Sequence, residues 1–170
     1  MKTPAPLNRR AFIGAALTAS AALALSGCGF HLRGRDSLPT LPAFALEGDA
    51  QSELGQALTQ LLQTRGSGIS ADAPWRLTLS AVEMNNRRLG GEGRGSREHE
   101  FTLSARVSLQ QRDTRAYLWN REPISTSTQR RVNDDDLLNR DVLIDEARRL
   151  LSRQLAERIA ERLASVKALR

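Results

Sequence analysis

Phe101-Thr102-Leu103-Ser104-Ala105-Arg106-Val107-Ser108-Leu109-Gln110 is the stretch whose reading decides the fold. Phe101, Leu103, Ala105, Val107 and Leu109 alternate with Thr102, Ser104, Arg106, Ser108 and Gln110, a period of two that puts the first set on one face of a β-strand and the second on the other. Upstream, Trp75-Arg76-Leu77-Thr78-Leu79-Ser80 alternates in the same way and continues less regularly to Val82 and Met84, which predicts a preceding strand. Between the two, residues 87–97 read RRLGGEGRGSR, with four Gly, four Arg and no apolar residue but Leu89, the composition of a loop or hairpin tip. Downstream, Asp113-Thr114-Arg115 marks a turn, and residues 117–132 form a further strand in which Pro123 implies an edge position or a bulge.

Working outward, Ala43-Phe44-Ala45-Leu46 is long enough for a short first strand. Asp49 or Ser52 can cap a helix whose apolar residues Leu54, Ala57, Leu58, Leu61 and Leu62 recur at spacings of three and four, and Gly66 and Gly68 stop it. At the other end, the polar run 133–136 leads to a last helix from about Asp141 to Val166. Its stripe of Leu143, Ala147, Leu150, Leu151, Leu155, Ile159 and Leu163 opposes a charged face that includes Arg148, Arg149, Arg153, Glu157, Arg158, Glu161 and Arg162. The basic face is mixed in sign and reads as solvated or partner-facing rather than as a polyanion site. The expected fold is α+β, in the order β-α-β-β-β-α: a mixed four-stranded sheet with both helices packed on one face. The strand–helix–strand start favours a parallel crossover, and the hairpins favour antiparallel neighbours. The sheet face carrying Thr102, Ser104, Arg106 and Ser108 is then left polar and available to a partner.

The chain has 170 residues, with 25 Lys+Arg against 19 Asp+Glu, two His and one Cys. Setting aside residues 1–27, which hold Lys2, Arg9 and Arg10 and no acid, leaves 22 bases against 19 acids, a net charge of +3 instead of +6. That is one domain's worth of chain, too short for a multidomain enzyme. Two His and one Cys do not furnish an all-protein zinc or iron–sulfur site.

Residues 1–28, MKTPAPLNRRAFIGAALTASAALALSGC, place a basic stretch before an Ala-rich apolar run. The run falls short of the roughly 20 apolar residues a spanning helix needs, which makes it a signal peptide. Leu25-Ser26-Gly27-Cys28 resembles the bacterial lipobox, in which the Cys thiol takes a diacylglyceryl group before cleavage and the new N-terminus is acylated. Cys28 is therefore the expected lipidation site, carrying covalent N-acyl and S-diacylglycerol lipid and no other cofactor. Several acyl chains, at about 0.8 kcal/mol per buried CH₂, anchor durably where one does not. A lone exported Cys has no disulfide partner. Gly29 follows the Cys where inner-membrane lipoproteins typically have Asp, which favours the outer membrane. Asn8-Arg9-Arg10-Ala11-Phe12-Ile13 resembles a twin-arginine export signal, though paired bases also open ordinary Sec signals, and both routes stay open. Residues 28–42, with Gly29, Gly34, Pro39 and Pro42, suit a tether into a domain spanning 43–166, with 167–170 as a tail.

Catalysis is poorly supported. His99 stands between Glu98 and Glu100 with no nucleophile at hand and reads as a polar-face or edge residue, and His31 falls in the tether. The GGEGRG run at 90–95 superficially resembles a phosphate-binding loop, yet a strand follows it where such loops need a helix N-terminus. What remains is a cationic tip, either a solvated turn or an anion contact, since Arg forks match phosphate. Nucleic acid is disfavoured by export and by the lack of interleaved aromatic residues.

Cys28-Gly29-Phe30-His31-Leu32-Arg33-Gly34 at a lipobox, followed by this element order, resembles the LPS-assembly lipoprotein LptE (rare lipoprotein B) family, and the run at 97–103 is similar to the start of that family's third strand. The resemblance implies a non-enzymatic outer-membrane lipoprotein that sits in the lumen of the β-barrel LPS translocon LptD. Such proteins help that barrel assemble and bind lipopolysaccharide (LPS) on its way to the cell surface. It also implies that basic residues at the second-to-third strand tip meet LPS, here Arg87, Arg88, Arg94 and Arg97. The competing expectation is a generic envelope lipoprotein serving as a scaffold in a transport or peptidoglycan-associated complex.

Overall fold

A computed structural model describes residues 41–90, 95–133 and 135–169. Four strands, β1 (Phe44–Gly48), β2 (Trp75–Leu89), β3 (Ser96–Gln111) and β4 (Tyr117–Asn133), form one sheet in sequence order, with helix α1 (Glu53–Thr64) after β1 and helix α2 (Leu137–Ser165) after β4. β1 and β2 are parallel, in register from Phe44 opposite Trp75 to Gly48 opposite Leu79, while β2–β3 and β3–β4 are antiparallel. This is the expected mixed sheet with two helices in the order β-α-β-β-β-α. β4 is an edge strand, which is where Pro123 can sit without breaking a ladder hydrogen bond.

The alternation that identified β3 is what builds the core. Phe101, Leu103, Ala105, Val107 and Leu109 are all buried, beside Phe44, Leu77 and Leu79 of the neighbouring strands. Leu54, Leu58 and Leu62 of α1 and Leu151, Leu155, Ile159 and Leu163 of α2 are fully buried in the same cluster. Each such side chain stabilises the fold by roughly 1.5–3 kcal/mol relative to exposure. A short 3₁₀ turn, Lys167–Leu169, adds buried Leu169 to the core. On the opposite sheet face the residues are polar and pair with one another. Arg76 Nε lies 2.9 Å from Glu47 Oε1, and Arg76 also donates to Gln110 Oε1 at 3.4 Å.

Local chemistry sets the element ends. Ser52 Oγ accepts from the Gly55 N–H at 3.1 Å and caps α1, and Gly66, at φ +81°, turns the chain so that the Ser67 N–H bonds the Leu62 carbonyl. Asp136 Oδ1 accepts from the Asn139 N–H at 3.2 Å, so α2 begins at Leu137, four residues before the Asp141 expected from its apolar stripe. The stripe missed the start because Leu137, Leu138 and Val142 point to solvent, where burial leaves no periodic signature. Toward the other end of α2, Arg162 pairs with Glu122 of β4 and lies over the Trp119 ring, with its guanidinium carbon 5.3 Å from the centroid. Arg158 donates to the Ser125 carbonyl at 2.7 Å.

β1 ends at Gly48, and there β2 changes character. A bulge between Ser80 and Glu83 places Ala81 at φ +49°, and the Val82 N–H turns to Asp49 Oδ2 at 3.3 Å. Beyond it β2, β3 and β4 continue as a three-stranded ribbon. The expectation of a loop or hairpin tip over 87–97 is corrected here: β2 runs to Leu89 and β3 starts at Ser96. Ladder hydrogen bonds hold a strand whatever its side chains, so a polar strand has no apolar alternation to betray it.

Candidate anion-binding surface

The sequence-predicted arginines fall on different faces of the ribbon. Register places Arg87 opposite Glu100 and Arg88 opposite His99, which in turn faces Arg130 of β4, while Arg97 faces Val132. Successive strand residues alternate faces, so Arg88, Arg97 and Arg130 share the helix-bearing face with His99, and Arg87 takes the other, with Arg131 on β4. Arg87 forks onto one oxygen of Glu100, with Nη2 at 2.6 Å and Nε at 3.1 Å, yet 70% of its side chain is exposed. An exposed pair of this kind contributes about 0–1 kcal/mol, so a stronger anion can recruit the guanidinium. Arg88 and Arg97 each make a polar or ionic interaction. Arg94 lies outside the described residues, as do Cys28, the 1–27 signal segment, His31 and nearly all of the tether.

His99 departs from its expected place on a polar face or edge. It is only 7% exposed, its Nδ1 is 2.9 Å from Asn86 Oδ1, and its ring stacks on Phe101 with centroids 6.0 Å apart. Parity decides this: 99 shares the core-facing phase of Phe101, and the flanking acids take the other phase. Locked between an amide and a phenyl ring, the imidazole finishes the core at the ribbon end. Among the described residues, no group of three or more His, Cys, Asp or Glu is placed to hold a metal ion. No helix among them is long and apolar enough to cross a membrane.

A second cationic feature draws on the helix face expected to be solvated or partner-facing. Arg149 and Arg153 of α2 meet Arg130 of β4 around a recess of about 370 Å³ that Leu150 and Glu146 also line. The i,i+4 spacing of the two helix arginines is visible in the sequence, but their convergence on Arg130 requires knowing that α2 packs beside β4. Three guanidinium forks against one carboxylate suit a multiply charged oxyanion. A recess of about 250 Å³ adjoins it between the helices, lined by Ala57, Gln60, Leu61 and Thr64 of α1 and by Arg153, Ala156 and Glu157 of α2.

The chain matches the family model described as LptE, lipopolysaccharide-assembly, over residues 40–165. No curated protein matches the sequence significantly. Among solved structures it is similar to rare lipoprotein B from Shewanella oneidensis, at 17% identity and a TM-score of 0.55, covering 74% of this chain and 96% of that one. Lipoprotein B from Nitrosomonas europaea aligns at 17% identity and a TM-score of 0.57, covering 81% and 92% of the two chains. A minor lipoprotein from Acinetobacter baumannii aligns at 17% identity and a TM-score of 0.52, covering 73% and 91%. At such identity these structures speak to the fold alone.

Proposed function

The chain belongs to the LptE lipopolysaccharide-assembly family, and from that premise we propose that it is a non-enzymatic outer-membrane lipoprotein that docks in the LptD β-barrel, aids its assembly and binds LPS for insertion at the cell surface. Residues 1–27 are removed as a signal peptide, Cys28 carries the acyl chains, 28–42 tether the domain, and the domain faces the periplasm and the barrel lumen. The observation that carries this reading is the family match over residues 40–165. The polar sheet face, with its Arg76–Glu47 and Arg87–Glu100 pairs, supports it. A protein seated in a wide, water-filled lumen needs a surface that stays hydrated, and an apolar face would instead drive aggregation.

Arg87, Arg88, Arg94 and Arg97 are the LPS contacts in this reading. Phosphate accepts charge-assisted forks, each worth roughly 1.5–3 kcal/mol, more than the exposed Arg87–Glu100 pair returns. Replacing all four with Ser weakens LPS binding while circular dichroism stays unchanged; unaltered LPS binding would overturn the assignment. The partnership is tested by purifying the chain from outer membranes in detergent. A stable complex with a large β-barrel is expected, and lipoprotein recovered without one would point to the scaffold reading instead.

A further inference from the structure

Arg153 lines both recesses of α2 at once, the cationic one it shares with Arg130 and Arg149 and the one between the helices walled by Ala57, Leu61 and Ala156. The arginines of this helix divide by use. Arg148 pairs with Asp145, Arg158 bonds the Ser125 carbonyl and Arg162 pairs with Glu122. Arg149 and Arg153 enter no ion pair among the described residues, and Arg130 spends one donor on the neighbouring Gln129 carbonyl at 3.2 Å. Three like charges gathered round one recess repel one another, with Glu146 on its wall and Glu157, one turn on from Arg153 in the adjoining recess, to offset them among the described residues. Such an arrangement is relieved by an anion carrying two charges and several acceptor oxygens.

We propose that the two recesses are one site for an amphipathic phosphate, distinct from the hairpin tip. The phosphate takes the forks of Arg130, Arg149 and Arg153, Glu146 accepts from a hydroxyl beside it, and the first part of the hydrocarbon chain follows Arg153 into the trench between the helices. A bare phosphate satisfies only the first recess. An apolar chain adds the burial of Ala57 and Leu61, both half-exposed, and of the aliphatic stem of Arg153. The inference does not rest on the arginines of residues 87–97 or on docking to a barrel.

The test titrates the full chain at pH 8 with dodecyl phosphate below its micelle concentration, with inorganic phosphate and with dodecyl maltoside, following heat release. Dodecyl phosphate binds at least tenfold more tightly than either control. Arg149→Gln with Arg153→Gln lowers that affinity tenfold or more. Gln60→Trp, which fills the trench from an exposed position, weakens dodecyl phosphate but leaves the weak binding of inorganic phosphate unchanged. All three positions are exposed, so circular dichroism matches the parent. The Ser variant of Arg87, Arg88, Arg94 and Arg97 keeps full affinity for dodecyl phosphate, so the two assignments fail separately. Undiminished binding by the double Gln variant overturns the site. Equal affinity for inorganic phosphate or for dodecyl maltoside overturns the amphipathic ligand.

Discussion

Gly48 ends β1 at φ +75°, and a Cβ built there would stand 2.0 Å from the Leu79 carbonyl oxygen, with Thr78 Cγ2 at 3.3 Å. Two costs of Gly48→Ala can therefore be separated. Holding an L-residue in the left-handed region costs roughly 1–2 kcal/mol. The contact with Leu79 is to backbone and cannot be relieved by rotating a side chain. It forces β1 away from β2 and strains the Asp49 N–H bond to that same carbonyl, now 2.9 Å, whose net worth is about 0.5–1.5 kcal/mol. The sum is about 1.5–3.5 kcal/mol. Gly90 supplies the control: at φ +91° a Cβ meets nothing within 4 Å among the described residues, so Gly90→Ala incurs the conformational cost alone. Urea unfolding followed by circular dichroism, with the denaturant slope held constant, measures both. If Gly48→Ala costs no more than Gly90→Ala, the close approach of β1 to β2 is not what demands glycine.

Leu155→Ala removes a fully buried side chain where α2 meets the sheet and is expected to cost about 2–5 kcal/mol in the same unfolding assay. Arg87 and Glu100, with side chains 70% and 24% exposed, should show a coupling of about 0.2–1 kcal/mol in a double-mutant cycle, shrinking as salt is raised. A larger coupling would mean the pair holds the ribbon together and is not free to yield its guanidinium to a ligand.

Elements whose burial follows a regular period were legible in the sequence. The β3 alternation and the Leu151, Leu155, Ile159 stripe of α2 bury the residues they nominate, and the α1 repeat with Ser52 before it buries Leu54, Leu58 and Leu62 and leaves Ala57 and Leu61 half-buried. Pro123 correctly marked an edge. The far end of β2 and the first residues of β3 were not legible, because residues 85–89 and 96–98 are held by backbone pairing and cross-strand contacts with no apolar alternation. His99, expected on a polar face or edge for want of a catalytic companion, was misplaced, while its parity with Phe101 already put it toward the core. The recess at Arg130 was hidden because its residues lie on two elements whose adjacency exists only in the fold.

Strand edges give some of these cations a role that needs no ligand. Once β1 stops at Gly48, residues 83–89 of β2 pair, among the described residues, with β3 alone, and a strand edge of that kind offers backbone groups to a passing strand. Asn85, Asn86, Arg87 and Arg88 lie along that edge, and Arg121, Pro123, Arg130 and Arg131 lie along the opposite edge on β4. Charge and proline at such positions discourage edge-to-edge association, so the basicity of the ribbon is accounted for in part by solubility. Arg149 and Arg153 guard no edge. They sit on a helix whose hydrogen bonds are internal, and a lysine or glutamate there would keep the helix equally soluble. Solubility does not explain why they converge on Arg130, and relief of their mutual repulsion by a bound anion does.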